Sequence, residues 1–241
     1  MVSNTIQCGF ESHPGHRSGT VGGRREPVLV GTTRGPRHDP DCWRCTGGDP
    51  AEPGSYVRLL GYYLGDGCLS VAGRVYSLRV SCDLRYPGII ADVGAMIDAV
   101  RTGRSVGHVP APGVTVVQAY WRHWPCVFPQ HGLGRKHERH LGMETWQRRL
   151  VDAHPDDLVR GLMRSDGCRV NNWARRPVAG VPKRYDYPRW QFVNASTEIR
   201  TWCTEALDLL GVPWRQSGPR TISVSTRAGV ARLDEVLGPK S

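Results

Sequence analysis

The chain has no apolar run near the roughly 20 residues that a membrane-spanning helix needs, and Met1 to Phe10 lacks the apolar centre of a signal peptide. Both absences lead to the expectation of a soluble, cytoplasmic and nucleoid-associated protein. A dense disulfide framework is also missing: the eight cysteines are scattered through apolar segments, which suggests reduced and mostly buried thiols. Lysine is scarce as well. Of 32 basic residues 29 are arginine, and against 22 acids they leave a formal charge of +10 with a pI near 9.5. Arginine presents a planar fork that grips phosphate oxygens or guanine edges, so this surplus points to nucleic acid.

At 241 residues with 39% hydrophobic side chains, the chain can bury one large core or two small ones. Residues 1–52 stand apart, being crowded with Gly, Pro, Arg and His without an apolar period, as in Gly22-Gly23-Arg24-Arg25 and Arg34-Gly35-Pro36-Arg37-His38. They are expected to form a disordered basic arm. Within it, Cys42-Trp43-Arg44-Cys45 has the spacing of two zinc ligands. A structural zinc needs two more, for which Cys8, His13, His16 and His38 are at hand. A loose tail is the favoured reading of this segment.

From Pro53 onward the chain repeats. Leu59-Leu60-Gly61-Tyr62-Tyr63-Leu64-Gly65-Asp66-Gly67-Cys68 is echoed 100 residues later by Val159-Arg160-Gly161-Leu162-Met163-Arg164-Ser165-Asp166-Gly167-Cys168. Each copy closes an apolar helix, the first expected over 56–65 with Ser55 as N-cap and the second over 155–165 with Pro155 in its first turn. After the first come strands around 75–82, 105–108 and 114–119, a helix over 87–100, a short helix near 124–128 and a linking helix over 143–153. After the second come strands near 168–172, 190–194, 214–217 and 221–225 and helices over 196–210 and 228–237. The expected fold is α+β, two α-β-β-α-β-β-α repeats over 53–154 and 155–241 related by a pseudo-two-fold axis.

Glycine inside a helix costs roughly 1 kcal/mol relative to alanine, yet Gly61 and Gly65 share one face, matched by Gly161 and Ser165. Small residues at this spacing let two helices approach closely, so these four are expected at a direct helix–helix interface. The acids are also unfavourably placed. A carboxylate at the negative end of a helix loses roughly 0.3–1 kcal/mol, and two such carboxylates repel one another. A divalent cation reverses that sign, binding through the Asp66 and Asp166 carboxylates and oxygens at Gly65 and Ser165. Metal-assisted phosphodiester chemistry follows.

These residues resemble the LAGLIDADG, or dodecapeptide, homing endonuclease family in its single-chain form, over about residues 53–241. The resemblance implies two motif helices at the interface and two saddle-shaped antiparallel sheets straddling DNA. It implies that Asp66 and Asp166 hold catalytic Mg²⁺ or Mn²⁺, activate water and cut the two strands across the minor groove, while strand residues read the major groove. It also implies polar strand residues near the metals, for which Arg79, Gln118 and Gln191 are candidates. The second copy departs from the family pattern at Arg160 and Arg164, which take apolar positions, and at Ser165.

Between the first two strands of the second half, Asn171 to Arg189 holds Arg175, Arg176, Lys183, Arg184 and Arg189 interleaved with Trp173, Tyr185 and Tyr187, whereas the corresponding turn at Ala72 to Arg74 is short. This basic hairpin tip predicts an asymmetric double-stranded DNA site, bound by a monomer that acts as a pseudo-dimer. Arg74, Arg79, Arg135 and Lys136 are further candidate DNA contacts. In the cluster Arg135 to His140, the two histidines are read as solvated rather than ligating, and Arg148 and Arg149 as possible phosphate contacts. Two alternatives to an endonuclease stay open: a non-cleaving DNA-binding regulator on the same fold, and an RNA-binding intron-splicing factor.

Overall fold

The two copies of the repeat each build a motif helix, further helices and one four-stranded antiparallel sheet. The computed structural model describes residues 41–103 and 105–239. Helix α1 (Pro53–Leu64) leads into strands β1 (Gly67–Ala72) and β2 (Val75–Asp83), helix α2 (Pro87–Val100), strands β3 (Gly107–Ala111) and β4 (Val114–Trp121) and the short α3 (Trp124–Val127). A 3₁₀ turn (Lys136–Glu138) and α4 (Thr145–Ala153) connect the halves. Then come α5 (Pro155–Asp166), β5 (Gly167–Val178), β6 (Val181–Val193), α6 (Thr197–Leu209), β7 (Arg215–Gly218), β8 (Thr221–Val224) and α7 (Arg227–Leu237). The sheets run β1-β2-β4-β3 and β5-β6-β8-β7, the same order in each half.

Period-two alternation decides which way each sheet faces. In the first, Leu78, Val80, Val117 and Ala119 are buried against the helices, while Arg79 pairs with Gln118 on the opposite face. In the second, Trp190, Phe192, Ile222 and Val224 are buried, and Gln191 pairs with Ser223 on the other side. One apolar cluster runs through both halves, from Tyr56, Leu59, Leu60 and Tyr63 of α1 to Leu158, Val159 and Leu162 of α5.

The centre of the molecule is the contact between α1 and α5, and it is nearly backbone on backbone. A Cβ on Gly61 would lie 2.8 Å from the Leu158 carbonyl and 2.9 Å from the Gly161 Cα. The glycines after the acids serve the next joint: a Cβ on Gly67 would lie 2.9 Å from the Tyr63 carbonyl, and one on Gly167 2.7 Å from the Met163 Cα. Each strand therefore starts by folding tightly back over its helix.

Polar residues on these helices are paired. Arg58 donates to Asp157 at 2.9 Å and to Asp92 at 3.0 Å, and Asp92 also accepts from the Tyr62 hydroxyl at 2.7 Å and from Arg164 at 3.0 Å. This ties α1, α2 and α5 together. The two arginines that depart from the apolar pattern of the second copy have a structural reason: Arg160 donates to the Val236 carbonyl at 2.9 Å and Arg164 to the Leu237 carbonyl at 3.0 Å. They satisfy carbonyls at the C-terminal end of α7 that have no partner within that helix.

Several boundaries differ from the sequence reading. Helix α1 begins at Pro53, whose fixed φ suits a first turn, and Ser55 donates its hydroxyl to Glu52 at 2.8 Å instead of capping. Strand β3 lies at 107–111 because its register is set by pairing with β4 across the turn at Gly113. The basic hairpin tip expected between the first strands of the second half is a continuous ribbon with longer strands than expected: β5 and β6 pair from Gly167–Phe192 to Val178–Val181, around a two-residue turn at Ala179 and Gly180, both with positive φ. Residues 41–52, expected in the arm, are folded against the core, and Cys42 is fully buried. The rest of that arm, with Cys8, His13, His16 and His38, lies outside the described residues.

Candidate active site and nucleic-acid interface

Asp66 and Asp166 follow or end the two abutting helices, so the α1–α5 contact sets where both carboxylates sit. At that end the contact passes from glycine on glycine to Gly65 against Ser165: a Cβ on Gly65 would lie 2.9 Å from Ser165 Oγ and 3.4 Å from Asp166 Oδ2. Ser165 donates its hydroxyl to the Gly161 carbonyl at 3.0 Å. Asp166 accepts from Asn194 Nδ2 at 2.7 Å. Asn194, at the end of β6, thus fixes one acid, a role nothing in its sequence surroundings signals.

Lys136 is the cation set at the ends of the two motif helices. The sequence reading counted it with the phosphate-contacting cations of the 135–140 cluster. In the structure its ammonium instead donates to the carbonyls of Tyr63, Gly65 at 3.0 Å and Gly67 at 2.8 Å, capping α1 where the acids emerge. Burial pushes its pKa down to about 8, while Asp166 and Asp66 both pull it upward, so one ammonium feels both carboxylates. A buried thiol feels each acid, Cys82 on β2 and Cys203 on α6. Cys82 and Cys203 are each pushed up to about 12, mainly by burial and further by Asp66 and Asp166 respectively.

The polar strand candidates occupy corresponding places in the two sheets. Cys68 pairs with Arg79, which pairs with Gln118; Cys168 pairs with Gln191, which pairs with Ser223. Paired residues share a face, so Arg79 and Gln191 stand at equivalent positions one strand out from the acids. Ser223, hydrogen-bonded to Ser217 at 2.6 Å, is the partner that sequence reasoning did not single out.

Of the candidate DNA contacts, Arg175, Arg176, Lys183, Arg184 and Arg189 all lie on the β5–β6 ribbon. Among the described residues only 190–193 of β6 pair with a third strand, so the ribbon projects beyond the sheet. Arg175 sits opposite Arg184, and Arg176 opposite Lys183. Like charges directly opposite one another destabilise a strand pair, and a two-stranded ribbon has little stability to spare. Aromatic rings moderate this: Arg175 and Arg184 lie over Trp173, with ring centroids at 5.6 and 5.3 Å, Lys183 lies over Tyr185, and Arg189 over Tyr187. Arg74 occupies the short turn of the first half, and Arg135 is exposed beside Glu138. Arg148 and Arg149 are held by Glu205 and Asp49, each at 2.6 Å. On the ribbon, Arg184 is likewise paired with Asp186 at 2.7 Å.

A second polar cluster lies away from the acids. Cys42 and Cys45 face His123 and Cys126, and the four ligating atoms all lie within 4.8 Å of one another. The sequence reading sought partners for Cys42 and Cys45 in the N-terminal segment, whereas the fold supplies them from the end of the first sheet.

No protein-family model and no curated protein matches this chain. Solved structures do. I-DmoI in complex with DNA and Mn is similar over 78% of this chain and 98% of that one, with a TM-score of 0.50 at 15% identity. The LAGLIDADG meganuclease I-AabMI bound to uncleaved DNA covers 77% of this chain and 82% of its own, at TM-score 0.48 and 10% identity. The N-terminal LAGLIDADG domain of DUF199/WhiA covers 80% and 85%, at TM-score 0.47 and 10% identity. At such identities the likeness concerns the fold, which is the α+β fold of the LAGLIDADG homing endonucleases. No helix among the described residues is long and apolar enough to cross a membrane.

Proposed function

We propose that the chain is a site-specific, double-strand DNA endonuclease of the homing type, using Mg²⁺ or Mn²⁺ held by Asp66 and Asp166. The observation that carries this reading is the α1–α5 seam at the acids' end, where a Cβ on Gly65 would lie 2.9 Å from Ser165 Oγ and 3.4 Å from Asp166 Oδ2. The donors there are all hard oxygens: two carboxylates, the Gly65 carbonyl and the Ser165 hydroxyl. Such a set suits Mg²⁺ or Mn²⁺ rather than a thiophilic metal. A bound divalent cation would supply Lewis-acid stabilisation of the scissile phosphate and its attacking water. Asn194 holds the Asp166 carboxylate in place, Arg79 and Gln191 organise solvent at equivalent positions, and Lys136 offers positive charge to the developing pentavalent phosphate. DNA is the proposed partner because the surplus charge is arginine-rich and the exposed ribbon carries most of its cations next to aromatic rings.

The test is incubation with a randomised or genomic DNA library in Mg²⁺ and in EDTA, with sequencing of the ends formed. Recurrent paired ends in Mg²⁺ alone support the endonuclease. Lys136 also favours a second reading, because it already compensates both acids without metal, as a non-cleaving DNA-binding regulator requires. Tight sequence-selective binding in EDTA with no cutting in Mg²⁺ or Mn²⁺ would establish that reading instead.

Lys136→Met is expected to slow cleavage by about 10²–10³-fold while DNA affinity stays nearly unchanged. The pH profile adds a sign. With a pKa near 8, the side chain is cationic below that pH and neutral above it, so wild-type cleavage should acquire a falling alkaline limb that the methionine variant lacks. A wild-type rate that keeps rising through pH 9 would remove the ammonium from the chemistry.

The ribbon can be shortened without disturbing the sheet. Asn172 pairs with Tyr187, so an Asn-Gly turn can join them directly in place of residues 173–186. This removes four cations, Arg175, Arg176, Lys183 and Arg184. Affinity should fall, and the slope of log affinity against log salt should shrink by up to about 4, at roughly 0.9 per phosphate contact. An unchanged slope in a titration from low to moderate salt would place the ribbon off the DNA.

A further inference from the structure

We propose that Cys42, Cys45, His123 and Cys126 form a structural zinc site that fastens the segment before α1 to the end of the first sheet. The cluster lies at the α1 N-terminus, away from the acids. Cys45 Sγ lies 3.3 Å from His123 Nδ1 and 3.6 Å from Cys126 Sγ, and Cys126 Sγ lies 3.6 Å from His123 Nδ1. A tetrahedral zinc with its usual bond lengths has edges of about 3.8 Å between sulfurs and about 3.6 Å between sulfur and imidazole nitrogen. The side chains therefore already stand at the corners of such a site, with Cys42 completing it within 4.8 Å.

The backbone is built to hold them there. Cys42 and Cys45 sit on a tight turn, in which Thr46 N donates to the Cys42 carbonyl at 3.1 Å and Gly48 N to the Trp43 carbonyl at 2.8 Å. His123 and Cys126 sit on a second turn at the start of α3, where Cys126 N donates to the His123 carbonyl at 2.9 Å. Two ligand pairs, each spaced by two residues and each on its own turn, is the arrangement of closed structural zinc sites. The pairs belong to segments 78 residues apart, so a bond between them closes a long loop and adds to stability accordingly.

Three thiols and an imidazole are gathered at one point, with Cys42 and His123 buried. A soft divalent ion would take the thiols as thiolates and turn their crowding into coordination. Zinc fits better than magnesium because the donors are sulfur and imidazole in a closed tetrahedron. One contact must change on binding. Arg122 donates to His123 Nε2 at 3.1 Å, and that nitrogen carries the proton once Nδ1 ligates, so the exposed Arg122 side chain turns outward.

The site acts on the helix seam through aromatic packing. Trp43, between the first two cysteines, packs edge-on against Tyr56 and Trp146, each at 5.5 Å. The Tyr56 hydroxyl donates to the Val127 carbonyl at 2.8 Å and accepts from Gln147 at 2.7 Å. Zinc would thereby steady the start of α1, at the opposite end from Asp66.

The full chain, purified under reducing conditions without added metal, should carry stoichiometric zinc by mass spectrometry of the element, released on mercurial titration of the thiols. After metal removal, Co²⁺ should give a thiolate charge-transfer band of three-sulfur intensity and strong tetrahedral d–d bands, bleached by Zn²⁺. Cys126→Ser and His123→Ala should weaken zinc binding by at least about 100-fold and lower the melting temperature, whereas Cys168→Ser should keep the metal. If the variants do not fold, the cobalt spectrum of the wild-type chain still decides. Absence of zinc with all thiols reduced, octahedral weak bands from Co²⁺, or a native Cys45–Cys126 disulfide would each overturn the site.

Discussion

Replacing either Asp66 or Asp166 with asparagine is expected to abolish double-strand cutting in Mg²⁺ and leave DNA binding intact or slightly tighter. The change is isosteric, so the α1–α5 seam and the hydrogen bond from Asn194 to residue 166 can persist, but half of the negative charge that attracts a divalent cation is gone. Electrostatic stabilisation by a bound cation is worth several kcal/mol, so each variant should lose on the order of 10³-fold or more in rate. Binding should not suffer, since a carboxylate facing phosphate is repulsive. The measurement is single-turnover cleavage of a target recovered from the library, with affinity measured in Ca²⁺ or EDTA. Cutting at the wild-type rate by both variants would take the acids out of the active site and reopen the choice of nuclease chemistry.

Gly161→Ala should be among the most destabilising single-methyl additions the chain can suffer. The new Cβ would lie 2.9 Å from the Gly61 Cα, 3.0 Å from the Tyr62 amide nitrogen and closer still to the Arg58 carbonyl. All three are backbone atoms, so no rotamer change relieves the clash and the helices must separate. Overpacking of this kind costs about 1–3 kcal/mol or more, against a gain of roughly 1 kcal/mol for alanine over glycine in a helix. The loss should win, and cleavage should fall further than binding because helix separation moves both acids. Gly94→Ala is the matched control: it also lies inside a helix, but its Cβ would meet only His108 Nε2 at 3.9 Å. It should stabilise the protein by about 0.5–1 kcal/mol in urea titrations. A neutral Gly161→Ala would mean that the two helices can move apart without loss of stability.

The repeat was the most legible feature. Glycine at Gly61, Gly65 and Gly161 where a helix gains nothing from it, and an acid at each helix end, are locally unfavourable choices made twice, and such choices report long-range constraint. The alternation that turns Leu78 and Val80 one way and Arg79 the other was equally readable, because a half-buried strand writes its two faces into neighbouring positions. The ribbon's length was harder to read: Pro177, Pro182 and Pro188 look like loop residues, and strands tolerate them here because, among the described residues, neither edge of the ribbon has a further partner at these positions.

Taken alone, then, the amino-acid order determined the duplication, the pairing of small residues on the motif helices, the α+β class and the arginine-rich charge. It did so because periodicity, glycine cost and charge are local properties. Three matters were decided by tertiary structure alone. Lys136 left its basic run to cap α1 between two acids, Asn194 came to hold Asp166, and His123 with Cys126 arrived beside Cys42 and Cys45 from 78 residues away. The reason is common to all three: the partner of a buried polar group is chosen by whichever chain segment packs against it, and sequence separation carries no record of that choice.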